Sequence, residues 1–123
     1  MLEKGWNQVF GRLKKLGVGE IAQLDGIEIT LLDDDEMARI HGEFLEDPAP
    51  TDVITFQHGE LLVGVETAAR QAAKFASSEN REVALYGIHG MLHLAGFDDR
   101  CENDARLMAL RQEELLNEFF SAL

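Results

Sequence analysis

The segment His89-Gly90-Met91-Leu92-His93-Leu94-Ala95-Gly96-Phe97-Asp98-Asp99 constrains this chain more than any other stretch. Val83, Ala84, Ile88, Met91, Leu92 and Ala95 recur at helical spacing, so the residues before Gly96 read as one helix. Two histidines four apart on a helix stand about 40° apart around its axis and one turn apart along it. Their imidazoles can therefore converge on a single cation. Gly96 lets the chain leave the helix in a left-handed conformation and double back. Asp98 and Asp99 follow at once, and either carboxylate can return to the same point. Two imidazoles and a carboxylate are a usual three-ligand set for catalytic zinc, with the fourth position left for water. A bare His-x-x-x-His is most often a satisfied histidine pair, and the two aspartates can equally cap the next helix. Glycine at i+7 and aspartate at i+10 narrow the reading to a metal site.

The remaining elements follow from periodicity and turn chemistry. Trp6, Val9, Phe10, Leu13 and Leu16 mark an inward helical face between about Glu3 and Leu16, ended by Gly17 and Gly19. Ile27, Ile29 and Leu31 alternate with Glu28 and Thr30, as in a half-buried strand after the Asp25-Gly26 turn. Asp33 to Asp35 lack the rest of a calcium-loop spacing and read as the start of a helix, where carboxylates cap free N–H groups and complement the macrodipole. That helix runs to about Leu45, with Met37, Ile40, Phe44 and Leu45 inward. Asp47-Pro48-Ala49-Pro50 is a loop. Val53–Phe56 and Glu60–Val65 form a hairpin around Gln57-His58-Gly59. An Ala-rich helix covers about Glu66 to Ser77, Ser78 or Asn80 opens the helix of the two histidines, and a last helix runs from about Glu102 to Phe120 with Leu107, Met108, Leu115 and Phe119 inward. The order predicts one α+β domain over residues 1–123: a small mixed sheet packed with about five helices.

Composition removes several classes. The chain has 123 residues, 46% apolar and 28% charged, which suits a globule and excludes a disordered chain. One cysteine excludes an internal disulfide framework and a multi-cysteine zinc ribbon. No apolar run approaches the roughly 18 residues that cross a bilayer, and Met1–Gly19 lacks the apolar core of a signal peptide, so no membrane partner and a cytoplasmic location are expected. Lys plus Arg is 11 against 23 Asp plus Glu, a formal net charge of -12. Such a chain repels phosphate backbones at long range, so nucleic-acid chemistry here must rest on a local site. Arg81, Arg100, Arg106 and Arg111 flank the histidine segment and offer a local positive patch, although surface ion pairs are their commoner use. His41 and His58 read as exposed histidines, and Cys101 as an inert residue at a helix start.

The spacing of the two histidines, Gly96 and the aspartates is similar to the zinc-binding helix and turn of metzincin peptidases. A zincin peptidase, however, carries Glu directly after the first His as general base. Gly90 stands there, which disfavours proteolysis. The whole stretch resembles the bacterial YbeY endoribonuclease family, whose signature H-G-x-L-H-L-x-G-[YF]-D-H is met by His89, Gly90, Leu92, His93, Leu94, Gly96, Phe97 and Asp98. Pro50-Thr51-Asp52-Val53-Ile54-Thr55-Phe56 and Gly59-Glu60-Leu61-Leu62-Val63 match two further signatures, in order. The resemblance implies a small mixed sheet with helices and one zinc ion held by His89, His93 and Asp99. Thr51, Asp52 and Thr55 would line the cleft. It also implies hydrolytic cleavage of single-stranded RNA, rather than DNA, in ribosomal RNA maturation and ribosome quality control, with ribosomal RNA and the small ribosomal subunit as partners. Three departures stand out. Asp99 replaces the family's third histidine, and zinc accepts carboxylate oxygen at a similar bond length. Leu45 replaces a basic residue, usually Arg, that can clamp a phosphate. The first helix is not preceded by the family's usual strand. The alternatives are a non-catalytic ribosome-assembly factor with a structural metal and another zinc hydrolase acting on a peptide or small molecule.

Overall fold

The structure, a computed structural model, describes residues 2–45 and 51–121. Five α-helices and three strands follow in the order α1 (Leu2–Lys14), β1 (Glu28–Leu32), α2 (Asp34–Leu45), β2 (Val53–Thr55), β3 (Glu60–Gly64), α3 (Val65–Lys74), α4 (Glu79–Leu94) and α5 (Glu102–Ser121). The expected α+β class and single mixed sheet are therefore present. A short 3-10 turn at Glu20–Gln23, not anticipated from periodicity, carries the buried Ile21. The expected loop at Asp47–Pro50 lies outside the described residues.

β3 is the middle strand. It pairs parallel with β1, Glu28 opposite Glu60, and antiparallel with β2, Val53 opposite Val63. The β2–β3 hairpin closes through Phe56 N–H to Glu60 O (2.9 Å) and Gly59 N–H to Phe56 O (3.0 Å), with Gly59 at φ +101°. Alternation along β3 splits the core between the two faces of the sheet. Leu61 and Val63 join the main core with Trp6, Ile88, Met91, Leu116 and Phe119. Leu62 faces the other way and packs with Ile54 of β2 and Met37 of α2.

α4 runs through the main core. Val83, Ala84, Tyr86, Gly87, Ile88, Gly90, Met91, Leu92 and Leu94 are all buried, and α1, α3, α5, β2 and β3 all pack around it. Such a helix has little polar face to spare: beyond its first three residues, only a narrow, half-buried stripe through Glu82, Leu85, His89 and His93 reaches the surface. Of the two expected caps, Ser78 is the one used: its hydroxyl accepts from Arg81 N–H at 3.1 Å. At α2 the acidic run caps as expected, Asp33 Oδ1 accepting from Glu36 N–H at 2.9 Å. Asp34 grips Arg70 of α3 at 2.6 and 3.1 Å, and that hydrogen-bonded guanidinium lowers the Asp34 pKa.

Four apolar side chains expected to face inward do not. Leu16 lies past the end of α1 and is 55% exposed. Phe44, in the last turn of α2, is 61% exposed and meets Phe56 edge-on at 5.7 Å instead of entering the core. Leu107 stands on the solvent flank of α5, and Leu31 lies on an edge strand whose outer side has no partner among the described residues. α3 ends at Lys74, three residues earlier than expected, as the chain turns through Ala76 at φ +54°.

Close approach of α1 to α4 requires glycine at 87, because a Cβ there would overlap the Trp6 indole, whose N–H donates to Ala84 O at 3.3 Å. Gly87→Ala should destabilise the protein by about 1–3 kcal/mol through overpacking. Gly11→Ala, in α1 with nothing within 4 Å of the new methyl, should stabilise it by about 0.5–1 kcal/mol. Denaturant unfolding of the two variants beside the parent checks both signs.

Candidate metal centre

The last turns of α4 carry the histidines, and the way the helix ends brings in the third group. Gly96 takes φ +97°. Its N–H donates to His93 O, and Phe97 N–H donates to Leu92 O, each at 3.0 Å. This paired pattern of a left-handed helix stop reverses the chain. Asp98 and Asp99 then part company. Asp98 Oδ1 accepts from Arg100 N–H at 3.2 Å, and its other oxygen is 3.9 Å from the Arg100 guanidinium, so it stabilises the turn. Asp99 points back to the helix. Ligand atoms of His89, His93 and Asp99 all lie within 4.8 Å of one another.

The hydrogen bonds of the two rings show what the cluster wants. His93 Nδ1–H donates to Phe97 O at 3.1 Å, an acceptor by necessity because it is a carbonyl. His89 Nδ1–H donates to Gln112 Oε1 of α5. A ring that donates through Nδ1 and carries one proton has its lone pair on Nε2. The two Nε2 nitrogens face each other at 3.1 Å, with the rings edge-on at 83°. Opposed lone pairs at that distance repel unless a cation lies between them. Two nitrogens sharing one tetrahedral zinc would sit about 3.3 Å apart, given bonds of about 2.0–2.1 Å. The spacing, the half-buried setting of both rings and the adjacent carboxylate fit a metal ion.

Gly90 explains why the peptidase base is missing. Its position faces the sheet, and a Cβ there would stand 3.0 Å from Leu61 Cδ2 and 3.0 Å from Thr55 Oγ1. The place where a zincin holds a catalytic glutamate is thus filled by β2 and β3.

The other expected site residues are distributed along α4. Thr55 sits against Gly90, next to His89. Thr51 and Asp52 line a hollow one turn further back with Glu82 and Tyr86. Asp52 Oδ1 also accepts from Val53 N–H at 2.7 Å and so caps the start of β2. His58 is exposed, stacks on Phe56 and lies 3.4 Å from Glu60 Oε1, outside the cluster. His41 is half-buried rather than exposed. Cys101 is exposed and not part of the cluster. The arginines form no free basic patch: Arg81 pairs with Glu113, Arg100 with Asp98, and Arg111 with Glu114, while Arg106 donates to Asn103. Gln112, which meets His89 Nδ1, is the site neighbour that the sequence reading did not single out. Its signal was a polar side chain at an inward position of α5, in register with Met108, Leu115 and Phe119.

A family profile described as Endoribonuclease YbeY matches residues 2–120. Proteins named Endoribonuclease YbeY from Bacillus thuringiensis and Bacillus anthracis are each 29% identical over 127 aligned residues, covering 83% of this chain and 81% of theirs. A solution structure of a Thermotoga maritima protein superposes with a TM-score of 0.71 at 25% identity, covering 98% of this chain and 82% of that one.

Gln112→Leu should leave the fold intact and weaken metal binding about 10- to 100-fold, since a partner that orients a ligating imidazole is worth that much. Competition with a chromogenic chelator reads it. Gly90→Glu should lower the thermal midpoint and bring no peptidase activity on casein.

Proposed function

The chain belongs to the YbeY endoribonuclease family, and from that premise we propose that His89, His93 and Asp99 hold one zinc ion and that the protein cleaves single-stranded RNA by hydrolysis during ribosomal RNA maturation. The observation that carries the reading is the pair of opposed Nε2 atoms at 3.1 Å, each ring committed through Nδ1 to an oxygen acceptor. Zinc in such a site makes a water acidic enough to act near neutral pH and polarises a phosphoryl oxygen.

The chain's own residues do the rest. Gln112 and Phe97 O fix the tautomer and tilt of the two rings, so no reorganisation is needed when a cation arrives. Asp99 adds negative charge, which favours a dication over a lone proton between the imidazoles. Asp98 holds the turn that presents Asp99. The half-buried stripe of α4 that reaches the surface gives an RNA strand access to these groups, and Thr55 borders them beside Gly90.

Affinity for RNA has to be local. The formal charge of -12 opposes approach of a polyanion, and the nearby arginines are paired with carboxylates or an amide. Leu45, where the family usually has Arg, favours a second reading: an assembly factor of the ribosome whose metal is structural. A zinc peptidase is opposed by the filled position at Gly90.

Asp99→Ala should purify with little metal, while Asp98→Ala should keep about the stoichiometry of the parent, read by elemental analysis. Zinc-loaded parent should cut single-stranded RNA and leave casein intact. His89→Ala should remain folded yet fail to mature ribosomal RNA. Normal maturation by that variant would remove the catalytic reading and leave the assembly factor.

A further inference from the structure

We propose that the hollow between α3 and α4 is a subsite for an unstacked nucleobase carrying an exocyclic amino group, placed beside the His89–His93–Asp99 centre. Its purpose rests on the RNA-cleaving reading above, but its test does not.

The hollow has a volume of about 620 Å³ and is lined in part by Asp52, Gln71, Phe75, Glu82 and Tyr86. That size lies within the range of small-molecule sites. One wall is the surface stripe of α4 that continues into the metal centre. Tyr86 precedes His89 by three residues and Leu85 precedes it by four, so the two places are about one helical turn apart on the same face. A nucleotide whose phosphate lies at His89 can reach the hollow with its base.

The groups in the hollow select the base and reject the phosphate. Tyr86 is only 6% exposed, and its hydroxyl makes no hydrogen bond among the described residues. Burial first, and the charges of Glu82 and Asp52 after it, push its pKa up to about 12, so at neutral pH it remains an O–H donor. The Glu82 carboxylate has no partner among the described residues. Asp52 uses one oxygen on Val53 N–H and the Thr51 hydroxyl, which leaves the other. Two carboxylates repel a phosphate and call for N–H donors. Adenine, cytosine and guanine offer an amino group with two such hydrogens, whereas uracil offers a single ring N–H. Tyr86 O–H can donate in return to a ring nitrogen or carbonyl of the same base. Phe75, 64% exposed at the rim, has the Lys74 ammonium 5.4 Å from its ring centroid, which leaves its other face for stacking, and stacking on an aromatic ring is how unpaired bases are commonly held.

Titration of adenosine, cytidine and uridine into nitrogen-15-labelled full chain tests the subsite directly, since nucleosides carry no phosphate. Saturable shifts are expected at the amides of Gln71, Glu82 and Tyr86 with adenosine or cytidine. Uridine should bind about tenfold more weakly, the effect of losing one hydrogen bond to a charged group. Glu82→Gln should weaken adenosine and cytidine by a similar factor while its thermal midpoint stays close to that of the parent, and Phe75→Ala should weaken all three. No localised shifts with any nucleoside, or an equal response to uridine, overturns the proposal. Cleavage of single-stranded RNA by the same zinc-loaded preparation separates the two ideas. Localised shifts without cleavage support the subsite and remove the nuclease reading. Cleavage without shifts does the reverse.

Discussion

Burial of α4 on nearly every side is the constraint on which the rest of the molecule depends. A sheet face and three helices close around it, and its interior positions are apolar or glycine. Leu61, Val63, Ile88 and Met91 are fully enclosed, each contributing about 1.5–3 kcal/mol relative to exposure. The helix therefore has one orientation. The stripe that reaches the surface in its second half carries His89 and His93, so the candidate metal site inherits the rigidity of the core. Gly87 and Gly90 matter for the same reason, since each lets a neighbour approach the helix closely enough to complete that enclosure.

The centre itself is a case of two interactions with opposite signs. Hydrogen bonds from each Nδ1 to an oxygen hold the rings in place, and the same bonds turn two lone pairs toward each other. On the reading proposed above, a cation shared by the two nitrogens would relieve that opposition. A like-charge problem of larger scale surrounds it. The surface is strongly acidic, and the arginines close to the site are spent on carboxylates or an amide. On the readings proposed above, recognition of RNA on such a surface would depend on short-range contacts: a metal ion for the phosphate and, in the hollow beside it, acceptors and an aromatic face for a base.

Much of this was legible in the order of residues. The helix of the two histidines, its stop at Gly96, the capping role of Asp33 and the hairpin at Gly59 all follow from local rules of spacing, capping and turn chemistry, and all are present. The misses share a different cause. Phe44 and Leu107 satisfy a helical period, yet stand beyond the edge of what their helices cover. Leu31 alternates correctly but lies on an edge strand. Periodicity reports which side of an element is apolar, not whether a neighbour extends far enough to bury it.

The amino-acid order alone determined that two imidazoles and a carboxylate would come from one helix and its turn, because those positions are tied together within eleven residues of chain. Only the tertiary structure decided which aspartate turns inward, which distant side chain steadies His89, and why position 90 is glycine. Those answers depend on Gln112, 23 residues further on, and on β2 and β3, more than 25 residues before. Contacts over such separations are set by how helices and sheet pack, which no local pattern encodes.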